Sequence, residues 1–257
     1  MNSPSSLARI RVILSRPSHP GNIGATARAM KTMGLSQLVL ICPKRFPDEE
    51  ATARASGASD LLQQARVCAT LDEALNGTTL VAGMTARRRD LAAPFLWARD
   101  GADTLIQGTR GGHQEVALLF GNETAGLTND ELSRCHLGIM IHTNPEYSSL
   151  NLAAAVQLMS YELRLAAVRP EPQPPSGQDF LPATSEEIEG LHSHLEQVAL
   201  ATGFLDPHQP KRLMARLRRL FARTRLEHDE VSILRGFLSA IERPKKRRTS
   251  PLHTPPY

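Results

Sequence analysis

The chain has 257 residues, 41% hydrophobic and 22% charged, with a formal net charge of +4. That length supports one large or two modest domains with proper cores, and no apolar run approaches the roughly 20 residues of a membrane span. Cys42, Cys68 and Cys135 are scattered, with no CxxC and no His at zinc-ligand spacing, so they read as buried thiols of a cytoplasmic protein that needs no metal.

The chain opens on MNSPSSLARIR, without the apolar stretch of a signal peptide. Residues 9–15, RIRVILS, alternate charged and β-branched positions and predict a first strand. A Pro/Gly-rich loop follows, then a helix closed by Gly34 as its C-terminal glycine. Gly21 and Gly24 are the positions where the backbone could come close to a ligand. Asn22 and Arg28 are six residues apart, about 120° from one face of a helix that starts near Asn22. Taken alone, Arg28 reads as a surface arginine beside Lys31. Residues 37–42, QLVLIC, form a strand apolar on both faces, and residues 47–64 form a polar helical connection.

Residues 79–84, TLVAGM, are a further apolar strand. Its carboxyl end runs into Thr85, Ala86, Arg87, Arg88 and Arg89, at the kind of sheet edge where ligands bind. The arginines fit RNA phosphates and equally fit a solvated loop. After the strand VALLF at 116–120 comes GNETAGL at 121–127, a loop bounded by glycines. Thr128 and Glu131 then make a capping box for a short helix. Residues 138–142 lead into IHTNPEYSSLNLAAAVQLMSYELR, which runs from Ile141 to Arg164. This stretch predicts a strand end, a turn at 144–147, N-caps at Ser148 and Ser149, and a helix burying Leu152, Ala155, Val156, Met159 and Leu163. Strands alternate with helices throughout, so the fold class is α/β with a mainly parallel sheet.

A Pro-rich linker covers 169–183 and separates residues 1–168 from a helical extension at 184–243. The extension contains a capping box at Thr184/Glu187, a basic helix from Lys211 to Arg225 and a third helix near 229–242. The expected buried stripes are Ile188, Leu191, Leu195 and Val198, then Leu213, Leu217, Leu220 and Phe221, then Val231, Leu234, Leu238 and Ile241. Residues 244–257 predict a disordered tail. Residues 211–248 carry 13 Lys/Arg against 4 Asp/Glu, a net +9, and the rest carries 17 against 22, a net −5. Such asymmetry points to a polyanion, with a solvated basic face as the plain alternative. Aromatic residues make up 4%, so base stacking is not the expected mode of RNA binding.

Three motifs in order, the Asn22–Arg28 stretch, Gly121-Asn-Glu123-x-x-Gly-Leu and PEYSSLNLA before an amphipathic helix, resemble those of the SPOUT-class RNA 2'-O-methyltransferases. Within the class the similarity is greatest to enzymes acting on cytidine/uridine 32 of tRNA. The resemblance implies a SPOUT-type parallel sheet with a trefoil knot, a homodimer, tRNA as partner, and S-adenosyl-L-methionine as methyl donor to a ribose 2'-OH. It places catalytic roles on Arg28, Ser149, Asn22, Glu123 and Asn151. Cofactor binding falls to Met84, Thr85, Ala86, Gly121, Ile141, Ser148, Ser149 and Leu150. RNA contacts fall to Arg28, Arg87, Arg88, Lys211, Arg212, Arg216, Arg219 and Arg223. Guanidinium stays protonated in proteins, so Arg28 is read as a cation beside a developing alkoxide, and His19 is a further residue worth testing as the base. Walker A and GxGxxG are absent from the sequence. A ribosomal-RNA enzyme and a non-catalytic RNA-binding module of the same fold are the alternatives.

Overall fold

The computed structural model describes residues 6–87, 94–109, 114–168, 181–209 and 211–242. Arg88, Arg89, most of the expected linker and the tail lie outside them. In chain order the described elements are β1 (Ile10–Ser15), α1 (Pro20–Met33), β2 (Gln37–Ile41), α2 (Glu49–Ala55), α3 (Ser59–Gln63), β3 (Arg66–Cys68), α4 (Leu71–Leu75), β4 (Thr78–Met84), β5 (Phe95–Trp97), α5 (Ala98–Gly108), β6 (Glu115–Phe120), α6 (Asn129–Ser133), β7 (Leu137–Met140) and α7 (Leu152–Val168). The strands form one sheet in the order β3-β2-β1-β6-β4-β7-β5, and every pairing is parallel. Two three-residue strands, β3 and β5, are additions to those the hydrophobic pattern predicts.

Alternation along the strands divides the core. Val12, Leu14, Leu118, Phe120 and Ile139 face a large cluster closed by α1, α5 and α7. Ile13, Val39, Val81 and Leu119 face a smaller one with Leu75, Leu132 and Cys135. Arg11 is buried at 6% exposure, donating to the Ala74 carbonyl at 2.7 Å and pairing with Glu115. Cys68 and Cys135 are buried as expected, but Cys42 is exposed, because it lies in the loop just past β2.

Gly34 ends α1 at φ 87°, as its position predicts. Gly21 and Gly24 serve a different purpose from ligand approach. A Cβ on Gly24 would lie 2.0 Å from the Ala51 carbonyl oxygen, and one on Gly21 would lie 2.7 Å from a Glu50 carboxylate oxygen. These glycines let α1 and α2 pack in contact.

The C-terminal helices are α8 (Ser185–Ala201), α9 (Leu213–Thr224) and α10 (His228–Glu242). Both predicted capping boxes form, at Thr128/Glu131 and Thr184/Glu187. Leu191, Val198, Leu226, Val231 and Leu238 make a small core, with Ile188, Leu195, Phe221 and Leu234 against it. Four stripe residues fall outside it: Leu213 and Leu217, which are half-buried, and Leu220 and Ile241, each 44% exposed. α9 has no buried residue; it is attached through Phe221, which packs against that core, and through the Arg218–Glu189 pair. Residues 181–183, read from sequence as linker, pair with 226–228 through Ala183 N–H to the Leu226 carbonyl (2.9 Å) and His228 N–H to the Leu181 carbonyl (2.8 Å).

Candidate active site

Three loops at the carboxyl ends of parallel strands meet at one cavity. The loop after β4 contributes Met84, Thr85, Ala86 and Arg87. The loop after β6 contributes Gly121 and Glu123, and the segment after β7 contributes Ile141, Ser148, Ser149 and Leu150. The cavity measures about 370 Å³. Phe120, Leu127, Leu152 and Ala155 complete an apolar floor, and the backbone of residues 121–127 forms one wall. All the residues expected at a cofactor therefore stand around one space.

Gly121 has a structural reason of its own. A Cβ there would sit 2.1 Å from both the Gly126 carbonyl carbon and the Leu127 nitrogen. Its missing side chain lets the loop fold back on itself, a closure held by Gly126 N–H to the Asn122 carbonyl at 2.8 Å. Asn122 Nδ2 donates to the Arg16 carbonyl at 2.7 Å, tying this loop to the one after β1.

Glu123 is the hub of the polar network. Its carboxylate accepts from the Ser18 amide and hydroxyl, both at 2.9 Å, from the His19 amide at 3.2 Å and from Asn22 Nδ2 at 3.1 Å. Asn22 Oδ1 accepts from Asn151 Nδ2 at 2.9 Å. Asn151 Oδ1 accepts from the amides of Ala153 (3.0 Å) and Ala154 (3.3 Å). Asn151 is therefore the cap of α7, in place of Ser148 and Ser149. The helix begins at Leu152, so only Asn151 is in register to reach the free amides of its first turn. The two serines stay in the loop and face the cavity. An unbroken chain of hydrogen bonds thus runs from Glu123 through Asn22 to the N-terminus of α7.

Burial raises the Glu123 pKa, but the amides, hydroxyl and carboxamide that donate to the carboxylate outweigh it and hold the value at about 2. A depressed carboxylate stabilises the fold above its unfolded pKa, and that stability is lost as pH falls toward the folded value. The contribution, discounted for solvent screening, is about 1–2 kcal/mol. Glu123→Gln is therefore expected to lose more stability at pH 6 than at pH 2.5, measured by urea unfolding at both. A stability difference that stays constant across that window would show that the carboxylate charge plays no such part.

Arg28 is exposed and six residues beyond Asn22 on α1, about 9 Å along the axis. It does not line the cavity, and its guanidinium has no partner among the described residues. His19 is exposed and meets the network through its backbone. Lys211, Arg212, Arg216, Arg219 and Arg223 are all exposed on or beside α9. Arg218 of the same basic helix turns inward, its fork on Glu189 at 2.6 and 2.8 Å. Ser18, which gives Glu123 two of its bonds, was not among the expected residues. Only the nearness of a hydroxyl to the Asn22 turn could have suggested it.

The SpoU rRNA Methylase family matches residues 9–161, and the TrmJ C-terminal domain of tRNA methyltransferases matches residues 186–250. A Pseudomonas aeruginosa tRNA (cytidine/uridine/adenosine-2'-O-)-methyltransferase TrmJ is 48% identical over 92% of this chain and 95% of its own. A Klebsiella pneumoniae tRNA (cytidine/uridine-2'-O-)-methyltransferase TrmJ is 48% identical over 93% of this chain and 99% of its own. Among solved structures, TrmJ from Z. mobilis ZM4 superimposes with a TM-score of 0.78 at 36% identity, over 91% of this chain and 99% of that one.

Proposed function

We propose a function from one premise: this chain belongs to the SpoU rRNA Methylase family and carries the TrmJ C-terminal domain. It transfers a methyl group from S-adenosyl-L-methionine to the ribose 2'-OH of a tRNA pyrimidine, at position 32 of the anticodon loop. The observation that carries this reading is the Glu123–Asn22–Asn151 chain, which ties the start of α1 to the segments after β6 and β7, two of the three that border one cavity.

The cavity's apolar floor and polar edge suit a nucleoside-like ligand with a charged tail. Met84, Thr85, Ala86, Gly121, Ile141, Ser148, Ser149 and Leu150 would hold S-adenosyl-L-methionine, whose sulfonium supplies an electrophilic methyl. A ribose hydroxyl is a weak acid, so the protein's task is to orient it and favour charge on its oxygen. Ser149 is exposed to the cavity for a short polar contact. Asn22 and Asn151 hold the capped α7 N-terminus, with its partial positive charge, in place beside it. Arg28 supplies the cation, reaching the reaction from outside the lining in a homodimeric arrangement. The reading carries with it a knotted chain path. No helix among the described residues is long and apolar enough to cross a membrane, and no metal-ligating cluster occurs among them.

The two named relatives differ over adenosine, which fits chemistry that acts on the sugar rather than the base. Mass spectrometry of nucleosides from tRNA incubated with the protein and S-adenosyl-L-methionine should show 2'-O-methylcytidine or 2'-O-methyluridine, with fragment mapping at position 32. Methylation of ribosomal RNA alone would overturn the tRNA assignment.

The exposed arginines of α9 bind tRNA phosphates. Affinity should then fall by roughly 0.7–0.9 log units per log unit of salt for each phosphate neutralised. Replacing Arg212, Arg216 and Arg219 together with glutamine is expected to lower that slope by about two units and to leave cofactor affinity unchanged. Filter binding at several salt concentrations checks this. An unchanged slope would return α9 to a solvated face.

A further inference from the structure

A second cavity, away from the proposed active site, lies where α9 and α8 meet the turn after α6. Arg134, His136, Glu189, His192, Arg218 and Arg225 line it. At about 30 Å³ it is too small for a nucleoside but has room for one small group.

Its lining holds a buried polar atom without a partner. His192 is 3% exposed, and its Nδ1 is buried with no hydrogen-bond partner. Such an orphan costs about 1–3 kcal/mol unless a partner arrives. His136 Nδ1 accepts from the Val81 amide at 3.0 Å. Burial, with the charge of Arg225 next, pushes His136 down to about 4, so at neutral pH the ring is uncharged and its proton is on Nε2. Burial, with Arg218 next, pushes His192 to about 4 as well.

The charges are also out of balance. Glu189 accepts from Arg134 at 2.9 Å and from both arms of the Arg218 fork, and Arg134 has a further partner in Asp72 at 2.6 Å. Arg225, exposed at the end of α9, has no partner among the described residues. With the His192 proton on Nδ1, a small anion rich in acceptors satisfies the orphan ring nitrogen and the unpaired guanidinium together.

We propose that this junction cavity binds one phosphoryl group, supplied by the backbone of the RNA that lies along α9. The identity of the source rests on the reading of α9 as an RNA-binding helix; the phosphoryl site itself does not. Arg225 stands just past the end of α9, two residues after Arg223, and lines the cavity, so a strand held by Arg212, Arg216, Arg219 and Arg223 has a further cation there. Binding there would join RNA, the C-terminal helices and the turn following the Glu123 loop and α6.

Long-range proton–nitrogen spectra of the histidine rings in the full chain test this, with inorganic phosphate and tRNA titrated separately. The His192 and His136 ring nitrogens are expected to shift with both. Arg225→Gln should weaken tRNA binding about tenfold, the scale of one charge-assisted hydrogen bond, and lower the salt slope by roughly 0.7–0.9. Arg223→Gln is the comparison, flattening the slope without moving the rings. If Arg223→Gln flattens the slope but phosphate leaves His192 unmoved and Arg225→Gln binds like wild type, the site is overturned and the α9 reading stands. If phosphate moves the rings but neither variant alters the slope, the site takes free phosphate and its RNA source is overturned along with the α9 reading.

Discussion

Replacing Arg28 by alanine is expected to lower turnover by about two to three orders of magnitude, the scale seen when one preorganised electrostatic stabiliser is removed. Folding should be almost untouched, within about 0.5 kcal/mol, because the side chain is exposed and has no partner among the described residues. Cofactor affinity should also hold, since Arg28 does not line the cavity. The combination is diagnostic: a purely structural residue would not lose turnover while keeping stability and binding. Arg28→Lys separates two accounts of the role. Lysine keeps the charge and loses the planar fork, so substantial retained activity means charge stabilisation, and loss of activity means directed hydrogen bonding. Single-turnover methylation of tRNA, with calorimetry for the cofactor, gives all the needed quantities. Near-normal turnover in Arg28→Ala would return this residue to the surface role its exposure suggests.

Gly121→Val should have the largest structural effect. Even the first added carbon would meet backbone at 2.1 Å, and no side-chain rotation relieves a backbone clash. The loop must open, which is expected to cost about 3 kcal/mol or more. Opening it also moves the wall formed by residues 121–127, so cofactor affinity should drop at least about 100-fold. Gly57→Ala is the control, because a Cβ there meets nothing within 4 Å. Thermal unfolding with and without S-adenosyl-L-methionine measures both effects. A Gly121→Val protein that unfolds like wild type and binds normally would show that the loop can relax without touching the site.

Much of this molecule is legible in its sequence because long apolar runs at strand spacing admit few other readings. β1, β2, β4 and β6 are of that kind, and their order with helices between them dictates a parallel sheet. β3 and β5 are not legible, since each has three residues and neither is buried along its whole length, leaving no period to detect. The loops around the cavity were marked by turn residues at strand ends, but the function of their glycines was not. Whether a glycine faces a ligand, another helix or its own loop depends on what lies opposite. For Gly24 that is Ala51, and for Gly121 it is Gly126. Asn151 and Ser149 are equally good caps by composition, and only the register of α7 decides between them. Arg218 is one arginine among many in sequence, and its inward turn needs Glu189 from a different helix.

The Glu123–Asn22–Asn151 chain also constrains when the site can exist. Its members are separated by 101 and 129 residues, so none of it can form from local sequence. β1, which precedes the Asn22 loop, pairs with β6 more than a hundred residues later, and α7 follows later still. Contacts of such high sequence separation form slowly and late. A growing polypeptide released in order from its first residue therefore has no complete site until residues beyond 151 are available to fold. At roughly 5–20 residues per second, that is several seconds or more in which β1 waits for its second neighbour with an unpaired edge. In that interval the open edge of β1 is the place where this chain is most exposed to pairing with a strand other than its own β6.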